Sequence, residues 1–137
     1  METLKDPLTA AVIGAAIEVH RVLGPGLFET VYEECLAWEL EHRSLAVRRQ
    51  AAVPVVYKGN KLDASYRIDL LVEEKLVVEI KAVDRVLAVH DAQMLTYMRM
   101  SEISVGLLLN FNTPVLKDGI KRFVNSGRSG GGERSAN

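Results

Sequence analysis

The sequence predicts a single α/β domain of the mixed α+β kind: a central mixed β-sheet flanked by helices, in the order α-α-β-β-β-α-β. Three observations predict it. Apolar residues recur at helical spacing up to about residue 43, after which the pattern becomes that of strands. A further helical stretch at 89–100 interrupts the strand candidates. The segment VGLLLN, residues 105–110, is short and wholly apolar apart from its last residue, as a central strand is. A chain of 137 residues suits one compact domain, which this reading bounds at 1–125, and buries roughly two-thirds of its unfolded surface without a disulfide or metal staple.

Each element has a local cause. Asp6 can cap free N–H groups and Pro7 suits a first helical position, so Leu8, Val12, Ala15, Ala16, Val19 and Leu23 mark a helix over about 7–22. Gly24-Pro25-Gly26 stops it. A second helix over about 28–43 puts Val31, Cys35, Trp38 and His42 on one side and Glu29 and Glu33 one turn apart on another. Residues 47–57 are β-rich, with Pro54 marking an edge position or a bulge. Lys58-Gly59-Asn60-Lys61 is a hairpin-type turn. Residues 62–72 and 76–83 read as strands joined tightly through Glu73-Glu74-Lys75, and 120–124 as a candidate last edge strand. SGRSGGGERSAN, residues 126–137, holds no large apolar side chain and is expected to be a disordered tail.

Composition excludes several classes. Hydrophobic residues make up 48% and charged residues 26%, which rules out collagen-like, disulfide-rich and wholly disordered chains. A formal net charge of −1 rules out a strongly basic nucleic-acid-coating protein. The balance is uneven: residues 1–46 carry three basic against eight acidic side chains, a formal −5, and the remainder fourteen against ten, +4. An acidic helical half facing a mildly basic sheet half would place carboxylates beside a phosphate-attracting surface; solvated helix faces are the plainer reading. The lone Cys35 permits no intrachain disulfide and reads as a small buried hydrophobe. The apolar decapeptide at 8–17 is followed at once by Glu18, His20 and Arg21, and no stretch reaches membrane-spanning length, so a cytoplasmic protein with no membrane partner is expected.

The segment YRIDLLVEEKLVVEIKAV, residues 66–83, carries the chemistry. Asp69, Glu79 and Lys81 interrupt two apolar strands; Glu79 and Lys81 share a face, and the turn at about 73–75 brings Asp69 near Glu79. Burying an unpaired charge costs several kcal/mol, so these groups compensate one another or bind something. Two carboxylates beside a lysine suit a hard divalent cation such as Mg²⁺. An ion-paired structural cluster fits the same spacing.

The spacing D-x9-E-x-K resembles the PD-(D/E)xK nuclease superfamily, and GLFETVY, residues 26–32, matches the G-x-x-E-x-x-Y signature of the small bacterial GxxExxY family. The likeness runs over about 8–124, with YKG, HDAQMLTYM and GLLLNF in the same order. The resemblance implies a restriction-endonuclease-like core and a Mg²⁺- or Mn²⁺-dependent nuclease acting on DNA or RNA. It implies Asp69 and Glu79 as metal ligands with the Ile80 carbonyl as a third, Lys81 as the catalytic lysine, and Glu29 as the helix-borne acid, with Glu33 its competitor. Gln93 and Tyr97 match the Q-x-x-x-Y pattern of the RecB-like branch and would help hold the nucleic acid. Ile68 stands where the superfamily's proline precedes the first acid. Arg48, Arg49, Lys58, Lys61, Arg67 and Arg85 are scattered rather than clustered, so the rival reading is a non-catalytic nucleic-acid- or protein-binding module on the same fold, with a homodimer as one way to complete its surface.

Overall fold

The computed structural model describes residues 6–62 and 66–125, together with the backbone of 134–136. Helix α1 (Pro7–Leu23) starts as expected, with Asp6 accepting from the Thr9 N–H at 3.3 Å and from its hydroxyl at 2.6 Å. It ends where the Gly24 N–H, at φ 72°, bonds the His20 carbonyl. Helix α2 (Glu29–Glu41) follows, then β1 (Val47–Val53), β2 (Val56–Tyr57), β3 (Asn60–Lys61), β4 (Tyr66–Val72) and β5 (Leu76–Lys81). Helix α3 (Ala88–Ser101), β6 (Val105–Asn110), a 3-10 turn (Leu116–Gly119), β7 (Ile120–Asn125) and β8 (Arg134–Ala136) complete the order. The expected series α-α-β-β-β-α-β is present, followed by the candidate last strand as β7, with a hairpin inserted at β2–β3 and one strand, β8, added at the end.

The main sheet runs β1-β4-β5-β6-β7-β8. β5 and β6 are parallel and the other pairs antiparallel, and α3 is the crossover that parallel neighbours require. Both α1 and α2 cover one face, over Leu70, Val72, Val78, Ile80, Leu107 and Leu109. Met94, Tyr97 and Met98 of α3 cover the other, over Ile68, Val77, Leu108 and Phe123. β6 is interior, as its apolar run requires.

Four expectations change. The β-rich run at 47–57 is not one strand. Pro54 ends β1, and Val56–Tyr57 pairs with Asn60–Lys61 as a separate two-stranded hairpin whose turn residues, Lys58 and Gly59, have φ of 49° and 82°. β7 is not the edge, because Arg134–Ala136, within the expected tail, lies alongside it; residues 126–133 and 137 of that tail lie outside the described residues. Residues 63–65 of the expected 62–72 strand also lie outside them. The core stripe of α2 is Tyr32, Leu36, Ala37 and Leu40, not Val31, Cys35 and Trp38. Trp38 is 56% exposed, and Cys35 is half-buried in a groove between α1 and α2. Aromatic bulk at position 32 wins the inward side by stacking on buried Phe111, with ring centroids 4.5 Å apart.

Close packing at the 3-10 turn sets a first expected outcome. A Cβ added at Gly119 would sit 2.1 Å from the Asn110 carbonyl oxygen at the end of β6. Backbone cannot yield there as a side-chain tip would. Gly119→Ala is expected to lower unfolding free energy by about 2–3 kcal/mol, read from urea denaturation midpoints.

Candidate active site

The acid pair sits where the sheet comes apart. β1 and β4 pair in register from Val47↔Val72 to Arg49↔Leu70 and resume at Ala51↔Ile68; the row skipped is Gln50 and Asp69. Strand alternation breaks at this row on both strands. Val47, Leu70 and Val72 face the α1–α2 layer, whereas Ala51, Val53 and Ile68 face the α3 layer. Gln50 makes the break with a left-handed φ of 52°.

The β4–β5 ladder stops at the same level. Its last regular pair is Leu70↔Val78. One residue further, side chains replace main-chain partners: the Asp69 N–H donates to Glu79 Oε2 at 3.0 Å, and the Ile80 N–H donates to Asp69 Oδ2 at 2.8 Å. This lacing holds the two carboxylates together through one oxygen of each, Glu79 Oε2 and Asp69 Oδ2. Asp69 is half-buried, and Glu79 is only 8% exposed.

Helix α2 brings two more acids to the sheet. Glu33, 6% exposed, accepts from Gln50 Nε2 at 3.0 and 3.1 Å and from Arg49 Nε at 3.2 Å. The same Gln50 amide lies 3.4 Å from Asp69 Oδ1, so one side chain bridges Glu33 to Asp69. Glu29 is exposed and accepts from the Ala82 N–H at 3.2 Å, just beyond Lys81. The surrounding G-x-x-E-x-x-Y residues explain its placement. Gly26 takes φ 100°, and the Tyr32 hydroxyl donates to the Gly24 carbonyl at 2.6 Å while accepting from the Leu27 N–H at 3.1 Å. The loop is thereby pinned with Glu29 at the first turn of α2.

Electrostatics follow from burial. Glu79 is pushed up to about 8, first by loss of solvation and then by repulsion from Asp69. Asp69 is also raised by burial, with Glu33 adding repulsion, while the Ile80 N–H, Gln50 and the Lys81 ammonium pull it back. Two like-charged carboxylates held together out of water form a set that a cation relieves. Their donors are hard oxygens, which suits Mg²⁺ or Mn²⁺. Among the described residues no three His, Cys, Asp or Glu side chains cluster closely enough to hold an ion unaided.

The α3 side supplies a cleft. Gln93 and Tyr97, one turn apart, line a cavity of about 260 Å³ with Val55, Tyr66, Val89 and Thr96. The Tyr97 hydroxyl is raised above its ordinary value, first by burial and then by the charge of Glu79, with Tyr66 and Asp69 adding to it. His90 has no part in the site: its Nδ1 accepts from the Leu87 N–H at 2.9 Å and caps the start of α3.

A family model described as the PD-(D/E)XK nuclease superfamily matches residues 6–123. The chain belongs to the PD-(D/E)XK nuclease superfamily. Its mixed sheet and three helices form the restriction-endonuclease-like core of that superfamily, whose nucleases generally use divalent metals. No curated protein and no solved structure matches the chain. Among the described residues no helix is long and apolar enough to cross a membrane.

Within the PD-(D/E)XK frame, Asp69, Glu79 and Ile80 stand together, with the Lys81 charge acting on both acids. Gln93 and Tyr97 share the α3 cleft, and Glu29 reaches the end of β5. Sequence reasoning missed Gln50 and Tyr66, and met Arg49 only as one of the scattered cations, not as the partner of Glu33. It met Glu33 only as a rival to Glu29 at helical spacing; nothing local signals that Glu33 is buried.

Proposed function

We propose that this protein is a metal-dependent nuclease that hydrolyses phosphodiester bonds of DNA or RNA, of the GxxExxY type within the RecB-like branch. The observation that carries the reading is the laced pair Asp69–Glu79 at the splayed strand ends, with Lys81 two residues beyond Glu79 on β5. Asp69, Glu79 and the Ile80 carbonyl would hold Mg²⁺ or Mn²⁺. Such an ion supplies polarisation of a phosphoryl oxygen and lowers the pKa of bound water. Lys81 orients the attacking water and stabilises negative charge as it grows on the phosphate. Glu29 is the helix-borne acid of this reading. It is exposed with one hydrogen bond, whereas Glu33 has both oxygens engaged by Gln50 and Arg49. Gln93 and Tyr97 hold the nucleic acid.

Purified protein is expected to take up Mn²⁺ in calorimetric titration and to cut at least one of single-stranded, duplex or branched substrates with Mg²⁺ or Mn²⁺ but not with EDTA. Asp69→Asn should abolish both. The net charge of −1 and the sparse basic residues favour the second reading, a binding module without hydrolysis. Nucleic-acid binding without Mn²⁺ uptake or cleavage would establish that reading instead.

A further inference from the structure

Helix α2 carries two apolar stripes, and the core uses only one of them. Tyr32, Leu36 and Leu40 are spent against the sheet. Val31, Cys35 and Trp38 stay wholly or partly exposed, and Phe28, 81% exposed, heads the same stripe. Helix α1 adds Val22, 63% exposed in its last turn. Val22, Val31, Cys35 and Trp38 line a groove of about 620 Å³ between the two helices. The Trp38 ring is held in place by stacking on His42, with centroids 3.7 Å apart, so little entropy is lost in presenting it. Walls this exposed do not enclose a small ligand; they suit another surface laid along the groove.

The groove also has a sign. Every charged side chain that lines it is acidic: Glu18, Glu34 and Glu39. Glu18 and Glu39 hold Arg21 and Arg43 one turn along their own helices, at 2.8 and 2.9 Å. Exposed pairs of this kind are weak and exchange readily for an incoming cation. Glu34 is exposed and has no ion pair among the described residues. A second copy of the chain, seated face to face about a two-fold axis, would set these acids against themselves. Anionic lipid headgroups meet the same repulsion. A helix with an apolar stripe flanked by Lys or Arg meets both demands, with apolar anchors along the floor and cations at the glutamates. We propose that the α1–α2 groove docks a basic amphipathic helix of a partner protein, with Trp38 as the main apolar contact and Glu34 as a charge partner. The proposal is independent of the nuclease reading.

Trp38 is the chain's one tryptophan, so its fluorescence reports on the groove directly. The probes are tryptophan-free amphipathic peptides of about 18 residues, long enough to hold a helix, with Leu, Ile or Phe stripes flanked by Lys. Each has an acidic counterpart with Glu in place of Lys. At least one basic peptide is expected to shift Trp38 emission saturably and to bind about tenfold or more tighter than its counterpart. Raising NaCl to about 0.5 M should weaken that binding several-fold. Glu34→Lys should weaken it about fivefold or more, and Val22→Lys, also at an exposed position, about tenfold. Glu102→Lys makes the same change of charge at the end of α3, across the sheet, and should stay within about twofold. No saturable shift with any basic peptide, equal binding of the acidic counterparts, or indifference to both groove variants overturns the proposal. So does a dimer in sedimentation that Val22→Lys splits, which puts a second copy in the groove, or a Trp38 shift on phosphatidylserine vesicles that Val22→Lys abolishes. Mn²⁺ uptake and cleavage are read separately, and none of these outcomes decides them.

Discussion

Lys81→Ala is expected to cut the metal-dependent hydrolysis rate by about a hundred- to a thousandfold, the usual effect of removing one preorganised group that meets developing charge. Mn²⁺ affinity should not weaken with it. The ammonium repels a cation, so its loss leaves binding at Asp69 and Glu79 unchanged or slightly tighter. A second readout separates this from a folding defect. Lys81 lowers the pKa of both Asp69 and Glu79. Without it both acids hold their protons to higher pH, and the acidic limb of the residual rate profile should move upward. Burst-free single-turnover kinetics, Mn²⁺ calorimetry and a thermal melt check the three statements. A large rate loss accompanied by lost metal affinity would mean that Lys81 organises the site rather than acting in the reaction.

The second large effect concerns stability. Glu79 titrates near 8 in the folded protein against an ordinary value of 4.5. A raised carboxylate binds its proton more tightly when folded. Stability from this group is therefore complete below the unfolded value and is lost as pH rises towards the folded one. Asp69 acts in the same direction. In EDTA, unfolding free energy should fall between about pH 4.5 and 8 at up to about 1.4 kcal/mol per pH unit from Glu79 alone. Above pH 8 that contribution levels off. Saturating Mg²⁺ or Mn²⁺ should restore about 2–3 kcal/mol at pH 8 when present at a hundredfold its dissociation constant, and much less at pH 5, where protons compete. Glu79→Gln should do the reverse of most buried-residue substitutions. It keeps an acceptor for the Asp69 N–H and removes the buried charge, so in EDTA at pH 8 it should melt several °C above the parent while losing the rise on adding metal. Scanning calorimetry across pH 5–9 decides the matter; a flat profile for the parent would mean that water already solvates both acids.

The boundary between what residue order dictates and what folding in three dimensions adds runs through the site itself. Asp69 and Glu79 had to meet, because a tight turn between two apolar strands puts them at the same level and neither charge is tolerable alone. Asp6 and Pro7 started α1 for equally local reasons, and the apolar run at 105–110 could only be an interior strand. These outcomes depend on neighbours a few residues apart or on a simple period.

Gln50 is different. It adopts a left-handed φ without being glycine, and the skipped row it shares with Asp69 exchanges the faces of both strands. No period in the sequence announces that, and an alternation rule carried through residues 50 and 69 puts every later side chain on the wrong side. Helix α2 taught the same lesson. Val31, Cys35 and Trp38 form a plausible apolar stripe, yet Tyr32, Leu36 and Leu40 face inward and bring Glu33 with them. Which of two neighbouring stripes is buried depends on how the helix is rotated against the sheet. That rotation is set by the Tyr32–Phe111 stack and by Glu33 meeting Arg49 and Gln50, partners 16 or more positions away in the chain. Local chemistry selects the elements and the acid pair; long-range packing selects the orientation, and with it every other side chain that reaches the site.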